Sequence, residues 1–215
     1  MRNFLLLTIV SIIAVYLFSG DYNQSIIKYE INRTLSSQIE NKDIIPGKHF
    51  QELGSKISDV DSDISIVFTY NSKASMLLNY ELSKNKDVYD QIEFIHAVHN
   101  KEWQEDARLF FSLKQFSLDK KSLGTLLKFY HEDKKLNKLK LNNFLTDSKI
   151  AHVPFWSSYS SLNTKAVFEP VSRIENETKT EGFPLVIIKG KYLIKPWLYE
   201  SYKDIPVVIE FLLEK

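Results

Sequence analysis

The chain has 215 residues, 44% of them hydrophobic and 26% charged, with 28 Lys+Arg against 27 Asp+Glu and a formal net charge of +1. That is the balance of a globular chain able to bury a core, and it supplies no basic field for a phosphate backbone, which argues against nucleic acid as a partner. Cysteine is absent, which excludes disulfides, cysteine-ligated zinc, iron–sulfur clusters and thiol nucleophiles.

Arg2 and the terminal amine precede an apolar run from Phe4 to Phe18 that is broken only by Thr8 and Ser11. The run suits a secretory signal and is slightly short for a spanning helix. Cleavage after Gly20 or Ser19 would put Phe18 or Leu17 at the −3 position, where a small residue is wanted. Residues 1–20 therefore read as a signal peptide or an uncleaved membrane anchor. Both options keep Arg2 cytoplasmic and export the rest, giving an extracytoplasmic or periplasmic location. Ile26, Ile27, Ile31, Leu35 and Ile39 recur at near-helical spacing, so residues 21–45 read as a helical linker.

Pro46-Gly47 marks a turn. Ile64–Tyr70 (ISIVFTY) is β-branched and aromatic, the pattern of a strand buried on both faces. Asn71 and Ser72 are helix-capping residues, and Met76, Leu77, Tyr80 and Leu82 mark the helix that follows. Ile92–Val98 reads as a second strand, so strand, helix and strand imply a parallel pair. From Lys101 to about Lys179 the pattern is helical. Trp103, Ala107, Phe110, Phe111 and Leu113 form one apolar face, and Leu123, Leu126, Leu127 and Tyr130 another. Pro154 and Pro170 are expected to break helices. Leu185–Ile188 and Lys191–Ile194 flank Lys189-Gly190 as a hairpin. Ile205–Leu213 closes the chain as a helix with Pro206 in its first turn.

Three segments of this layout carry a resemblance. Gly47-Lys48-His49-Phe50 through Leu53 is similar to the opening strand of a DsbA domain. Phe68-Thr69-Tyr70-Asn71-Ser72-Lys73-Ala74-Ser75 stands where the DsbA-like thiol:disulfide oxidoreductases have their aromatic-flanked Cys-Pro-His-Cys. Gly182-Phe183-Pro184, followed by Lys189-Gly190-Lys191-Tyr192, is similar to that family's cis-proline loop and the hairpin after it. Trp103–Phe111 is similar to the helix after the second strand. The resemblance implies an α/β thioredoxin-like fold over residues 46–215, with a helical insert at about 101–179. It implies that Ser72 and Ser75 occupy the two redox positions, with Lys73 and Ala74 between them. A serine cannot cycle through a disulfide, so the chain resembles an oxidoreductase while lacking both redox cysteines. The family's buried acid, which moves protons near the buried thiol, falls at Ile66. That favours a naturally degenerate protein over an oxidoreductase studied with its cysteines changed to serine.

The resemblance further implies a peptide-binding face at Gly182, Phe183 and Pro184, with an exported polypeptide or envelope protein as partner and the membrane reached through the N-terminal segment. Small-molecule binding in the groove beside Pro184 is the alternative from another class. No cofactor and no metal are expected. His96 and His99 would sit on opposite faces of a strand, the wrong arrangement for one ion, and His49, His131 and His152 are isolated. Ser117-Leu118-Asp119-Lys120 fits an S-x-x-K tetrad without its partner motifs. Lys134, Lys135, Lys138 and Lys140 read as a solvated helix face, with anionic headgroups as the sharper alternative. Phe155, Trp156 and Tyr159 read as packing between insert and core. Composition does not set the oligomeric state.

Overall fold

A computed structural model describes residues 43–117, 120–133 and 137–215. The expected signal or anchor, and the linker up to residue 42, lie outside the described residues. So do Leu118, Asp119, Lys134 and Lys135.

Five strands form one mixed sheet in the order β1-β5-β4-β2-β3. They are β1 (Gln51–Glu52), β2 (Ile64–Phe68), β3 (Ile92–His96), β4 (Leu185–Ile188) and β5 (Tyr192–Ile194). β2 and β3 are parallel, and β2 with β4, β4 with β5 and β1 with β5 are antiparallel. The parallel pair is joined through α1 (Lys73–Leu82) and the short α2 (Lys86–Gln91). α2 has no apolar period; its start is fixed instead by Asn85, whose side chain accepts the Val88 N–H at 3.3 Å.

Every residue of β2 and β4 is buried, as both-face coverage requires. Register sorts them by parity. Val67, Leu185, Ile187 and Leu193 join Ile95, Ala107, Val171 and Ile174 in one apolar cluster. Ile66 lies on the opposite side, with Phe94 and Val186 as its cross-strand neighbours. The β4–β5 turn uses positive φ at both Lys189 and Gly190, the geometry that suits the twist of a two-residue hairpin. A Cβ at Gly190 would sit 2.9 Å from Lys56 Cγ and 3.1 Å from the Ile57 carbonyl oxygen, so glycine is required there.

Between β3 and β4 come α3 (Lys101–Lys114), α4 (Lys120–Asp133), α5 (Lys138–Asp147), α6 (His152–Ser161) and α7 (Thr164–Thr178). Pro154 falls in the first turn of α6, where a missing N–H costs nothing. Pro170 does not break a helix as expected; it lies inside α7. α8 (Asp204–Leu213) ends the chain and buries Ile205, Val208, Ile209 and Leu212. Both expected strands end two residues early, at Phe68 and His96. Beyond them the chain turns into the loops that build the site, while the Ala97 N–H still donates to the Phe68 carbonyl at 2.8 Å.

Candidate functional site: the Ser72 loop and the cis-proline

Ser72 caps α1. Its backbone is extended, and its side-chain oxygen accepts the Ser75 N–H at 3.1 Å. Its hydroxyl lies 3.3 Å from the Phe183 carbonyl oxygen, to which it donates. Two segments 111 residues apart in sequence therefore meet at one hydroxyl. The Phe183–Pro184 peptide bond is cis. Ser72 is half-buried, Lys73 exposed and Ala74 half-buried, whereas Ser75 is buried and its oxygen faces the Thr69 N–H at 3.5 Å. One hydroxyl thus reaches the surface and one is enclosed.

The chemistry available to Ser72 is narrow. Among the described residues its side chain bonds only the Ser75 N–H and the Phe183 carbonyl. Among the described residues no histidine or carboxylate bonds to it to take its proton, as nucleophilic catalysis needs. Ile66 is buried, with Phe94 and Val186 as its cross-strand neighbours.

The loop before Pro184 is held by Thr180, whose hydroxyl donates to the Gly182 carbonyl at 2.6 Å and accepts the Gly182 N–H at 3.1 Å. Phe183 meets Trp103 edge to face, with centroids 5.4 Å apart. A Cβ at Gly182 would lie 3.9 Å from the Trp197 ring. Trp103, Phe183 and Trp197, all part-buried, make an aromatic wall beside the cis-proline. Among the described residues the Phe183 N–H makes no hydrogen bond. Sequence reasoning named Gly182, Phe183 and Pro184 but missed Trp197 and Thr180. Their side chains join the loop only through tertiary packing, and the one local signal was the Thr180-x-Gly182 spacing.

Below the loop lies a polar corner that the sequence did not announce. Tyr70 N–H donates to His96 Nε2 at 3.3 Å, and His96 Nδ1 lies 2.8 Å from the Ala97 carbonyl oxygen. This fixes a neutral imidazole with its proton on Nδ1. Burial pushes the His96 pKa down to about 3, against a small opposing effect of the Ala97 carbonyl. Tyr70 stacks on Tyr130 at 4.6 Å. Tyr130 donates to Asp106 Oδ1 at 2.8 Å, and Asn71 Nδ2 lies 3.4 Å from Asp106 Oδ2. Burial, and then the Asp106 charge, raise both phenol pKa values and keep both rings protonated.

The remaining histidines and aromatics are dispersed. His99 is exposed, 3.9 Å from Glu175, while Glu175 accepts the Val98 N–H at 2.6 Å. Burial raises its carboxyl pKa. Among the described residues no three metal-binding side chains converge. Phe155 is buried and contacts Phe116, and Arg108 lies over the Tyr159 ring, so this aromatic cluster fastens α6 to α3.

No family model matches the chain, and no curated protein matches it in sequence. Solved structures of DsbA thiol:disulfide oxidoreductases do match its fold. Pseudomonas aeruginosa DsbA superposes with a TM-score of 0.66 at 18% identity, covering 80% of this chain and 94% of that one. The oxidoreductase DsbA from Xylella fastidiosa gives 0.65 at 15%, covering 80% and 96%. A cysteine-to-serine form of Proteus mirabilis DsbA, solved with the non-covalently bound peptide PWATCDS, gives 0.62 at 14%, covering 80% and 97%. The fold is thus the thioredoxin-like fold of DsbA with its helical insert. In this chain it contains no cysteine, and serines stand at 72 and 75.

Proposed function

We propose that this chain is a redox-inactive DsbA-fold protein of the cell envelope that binds another polypeptide through its cis-proline face. Residues 1–20 would serve as signal or anchor and 21–45 as linker to the exported domain of residues 46–215. The carrying observation is the meeting of Ser72 with Phe183 beside a cis peptide bond. It leaves a short backbone edge, with the Phe183 N–H unbonded among the described residues, next to an aromatic wall and with no sulfur to react. An extended peptide pairs its backbone with such an edge and lays alternate side chains into what flanks it. The Ser72 hydroxyl holds the Phe183 carbonyl through one neutral bond, which an incoming N–H replaces at little net cost. The serine form of Proteus mirabilis DsbA with its non-covalent peptide supports this reading, since peptide binding there does not require the lost thiol.

The test places a photo-cross-linking residue at exposed Lys73 in the full chain, with Glu214 as the control position. Polypeptide adducts specific to position 73 are expected in envelope fractions. Equal labelling at both positions, or none at 73, defeats the proposal. Insulin-reductase and dithiol-oxidase assays are expected to stay at the level of a heat-killed control, because disulfide exchange needs a thiolate.

A further inference from the structure

The helical insert encloses a small cavity of about 110 Å³ that opens to solvent. Helices α3 to α6 all contribute to its wall: Glu105 and Asp106 from α3, Tyr130 from α4, Leu141 from α5, and Trp156 and Tyr159 from α6. Glu105 is exposed and Asp106 buried, so one carboxylate stands at the mouth and the other deeper in. Tyr130 donates to Asp106 Oδ1 at 2.8 Å, and Tyr70 stacks on the Tyr130 ring. Trp156 and Tyr159 are half-buried and meet edge to face, with centroids 5.6 Å apart and planes at 75°. Two rings at that angle form a corner of aromatic surface.

Among the described residues the lining holds two carboxylates and no basic side chain. Two cations of the chain lie near it without lining it: Arg108 Cζ is 5.3 Å from the Tyr159 centroid, and Lys138 Nζ is 6.0 Å from that of Trp156. Both rings therefore already draw positive charge, as an aromatic face does within about 6 Å. Carboxylates repel an anion, and a neutral guest would strip their water and return nothing. A cation gains from the carboxylates and from the rings together. Size narrows the guest further. Sites for whole small molecules run to roughly 300–1,000 Å³. A cavity of about 110 Å³ admits one head group and leaves the rest of its molecule outside. The carboxylates favour a head that carries N–H donors.

We propose that this cavity binds a single alkylammonium group, the head of a free amine or of a lysine side chain on another polypeptide. Its N–H groups donate to Glu105 and Asp106, and its charge faces the corner made by Trp156 and Tyr159. Asn71 Nδ2 lies 3.4 Å from Asp106 Oδ2, and Asn71 directly precedes Ser72. The cavity therefore adjoins the Ser72 loop. It does not depend on peptide binding at Pro184, and either can fail alone.

The chain has three tryptophans, so the indole N–H resonances of the full chain, labelled with nitrogen-15 at tryptophan, report the site directly. Trp156 lines the cavity, while Trp103 and Trp197 flank Pro184 and serve as controls. The protein is titrated with n-butylammonium chloride, 1-butanol and sodium n-butyrate at one ionic strength. A saturable shift of Trp156 is expected with butylammonium alone, with Trp103 and Trp197 unmoved. Glu105→Gln changes an exposed side chain and is expected to raise the half-saturating concentration about tenfold. Unmoved Trp103 and Trp197 resonances in that variant certify its fold. A short peptide with one central lysine distinguishes the source. Saturation at a concentration at least about tenfold below that of butylammonium assigns the head to a polypeptide, and saturation at an equal or higher one assigns it to a free amine. No saturable shift with butylammonium, equal shifts with butanol or butyrate, equal shifts at all three tryptophans, or an unchanged midpoint in Glu105→Gln overturns the proposal.

Discussion

Two regions on one face of the sheet beneath the Ser72 loop differ in kind. Deeper in the sheet the surroundings are apolar: Ile66 lies buried, flanked by Val186 and Phe94, where the resemblance implied an acid. Nearer the loop Tyr70, His96, Tyr130, Asp106 and Asn71 form a connected polar corner. Burial lowers the His96 pKa and raises those of Tyr70 and Tyr130, so these three groups stay neutral at neutral pH and their pairing serves to hold the loop. Ile66 in the apolar floor offers no group that could take up a proton there. Shape and chemistry are thus separable at this site. The loop, the cap and the cis-proline rest on packing and backbone bonds, and none of them needs a cysteine.

The strongest way to break this contrast is to place an acid at position 66. Ile66→Glu is expected to cost about 3–5 kcal/mol at neutral pH, because an unpaired carboxylate would be enclosed among apolar side chains. Burial raises the carboxyl pKa above its unfolded value. The native state then binds the extra proton, and the loss shrinks as pH falls through that raised value toward the unfolded one. Urea denaturation at two pH values measures both effects. A variant as stable as the wild type at neutral pH would mean that the floor already holds water or a countercharge.

The next largest effect is the response of the polar corner to acid. Protonating His96 would place an N–H on Nε2, opposite the Tyr70 N–H that it now accepts. Its folded pKa is lowered to about 3 from the ordinary 6.5. Between those values the unfolded chain binds the proton and the folded chain does not. Stability is therefore full above about 6.5 and falls as pH drops toward about 3, with a slope of up to about 1.4 kcal/mol per pH unit. Carboxylates elsewhere titrate in the same window, so the measurement is a difference. His96→Gln, which keeps an acceptor for the Tyr70 N–H, is expected to lose that part of the slope. Equal slopes in both proteins would place the histidine in contact with water.

The contrast also explains what the sequence could show. The strands, the capped helix at Ser72 and the Lys189-Gly190 hairpin follow from local signals: β-branched runs, a capping serine and a glycine at positive φ. The apolar floor was legible too, since Ile64, Ile66 and Phe68 alternate onto one face and the one polar residue of ISIVF, Ser65, falls on the other. The position of Phe183 beside Ser72 came only through family resemblance, because 111 residues separate them. The polar corner stayed hidden. Tyr130 fell on an apolar face, but Asp106 sits on an amphipathic helix where a charged residue normally reads as the solvent side, and only the tertiary packing that buries it brings the two together. α2 was missed because KDVYDQ buries a single residue, Val88. Pro170 was misjudged because a proline inside a helical pattern usually ends it.

The smallest expected effect sharpens the contrast within the polar corner itself. Tyr70 and Tyr130 are stacked, both buried and both raised in pKa, yet their hydroxyls differ. The Tyr130 hydroxyl donates to Asp106 at 2.8 Å. The Tyr70 hydroxyl is buried and has no hydrogen-bond partner among the described residues. Removing a bonded group leaves Asp106 short of a donor, so Tyr130→Phe is expected to cost about 1–3 kcal/mol. Removing an unbonded buried hydroxyl abolishes a desolvation penalty and leaves the ring stack intact. Tyr70→Phe is therefore expected to be neutral or slightly stabilising, by less than about 1 kcal/mol. Because the two residues touch, their effects need not add, and the double variant completes the cycle. Denaturation midpoints of the four proteins decide it. A loss at Tyr70→Phe comparable to that at Tyr130→Phe would show that the Tyr70 hydroxyl has a partner, most simply an enclosed water joining it to the Asp106 network. The polar corner would then extend to the base of the Ser72 loop as one connected hydrogen-bond system.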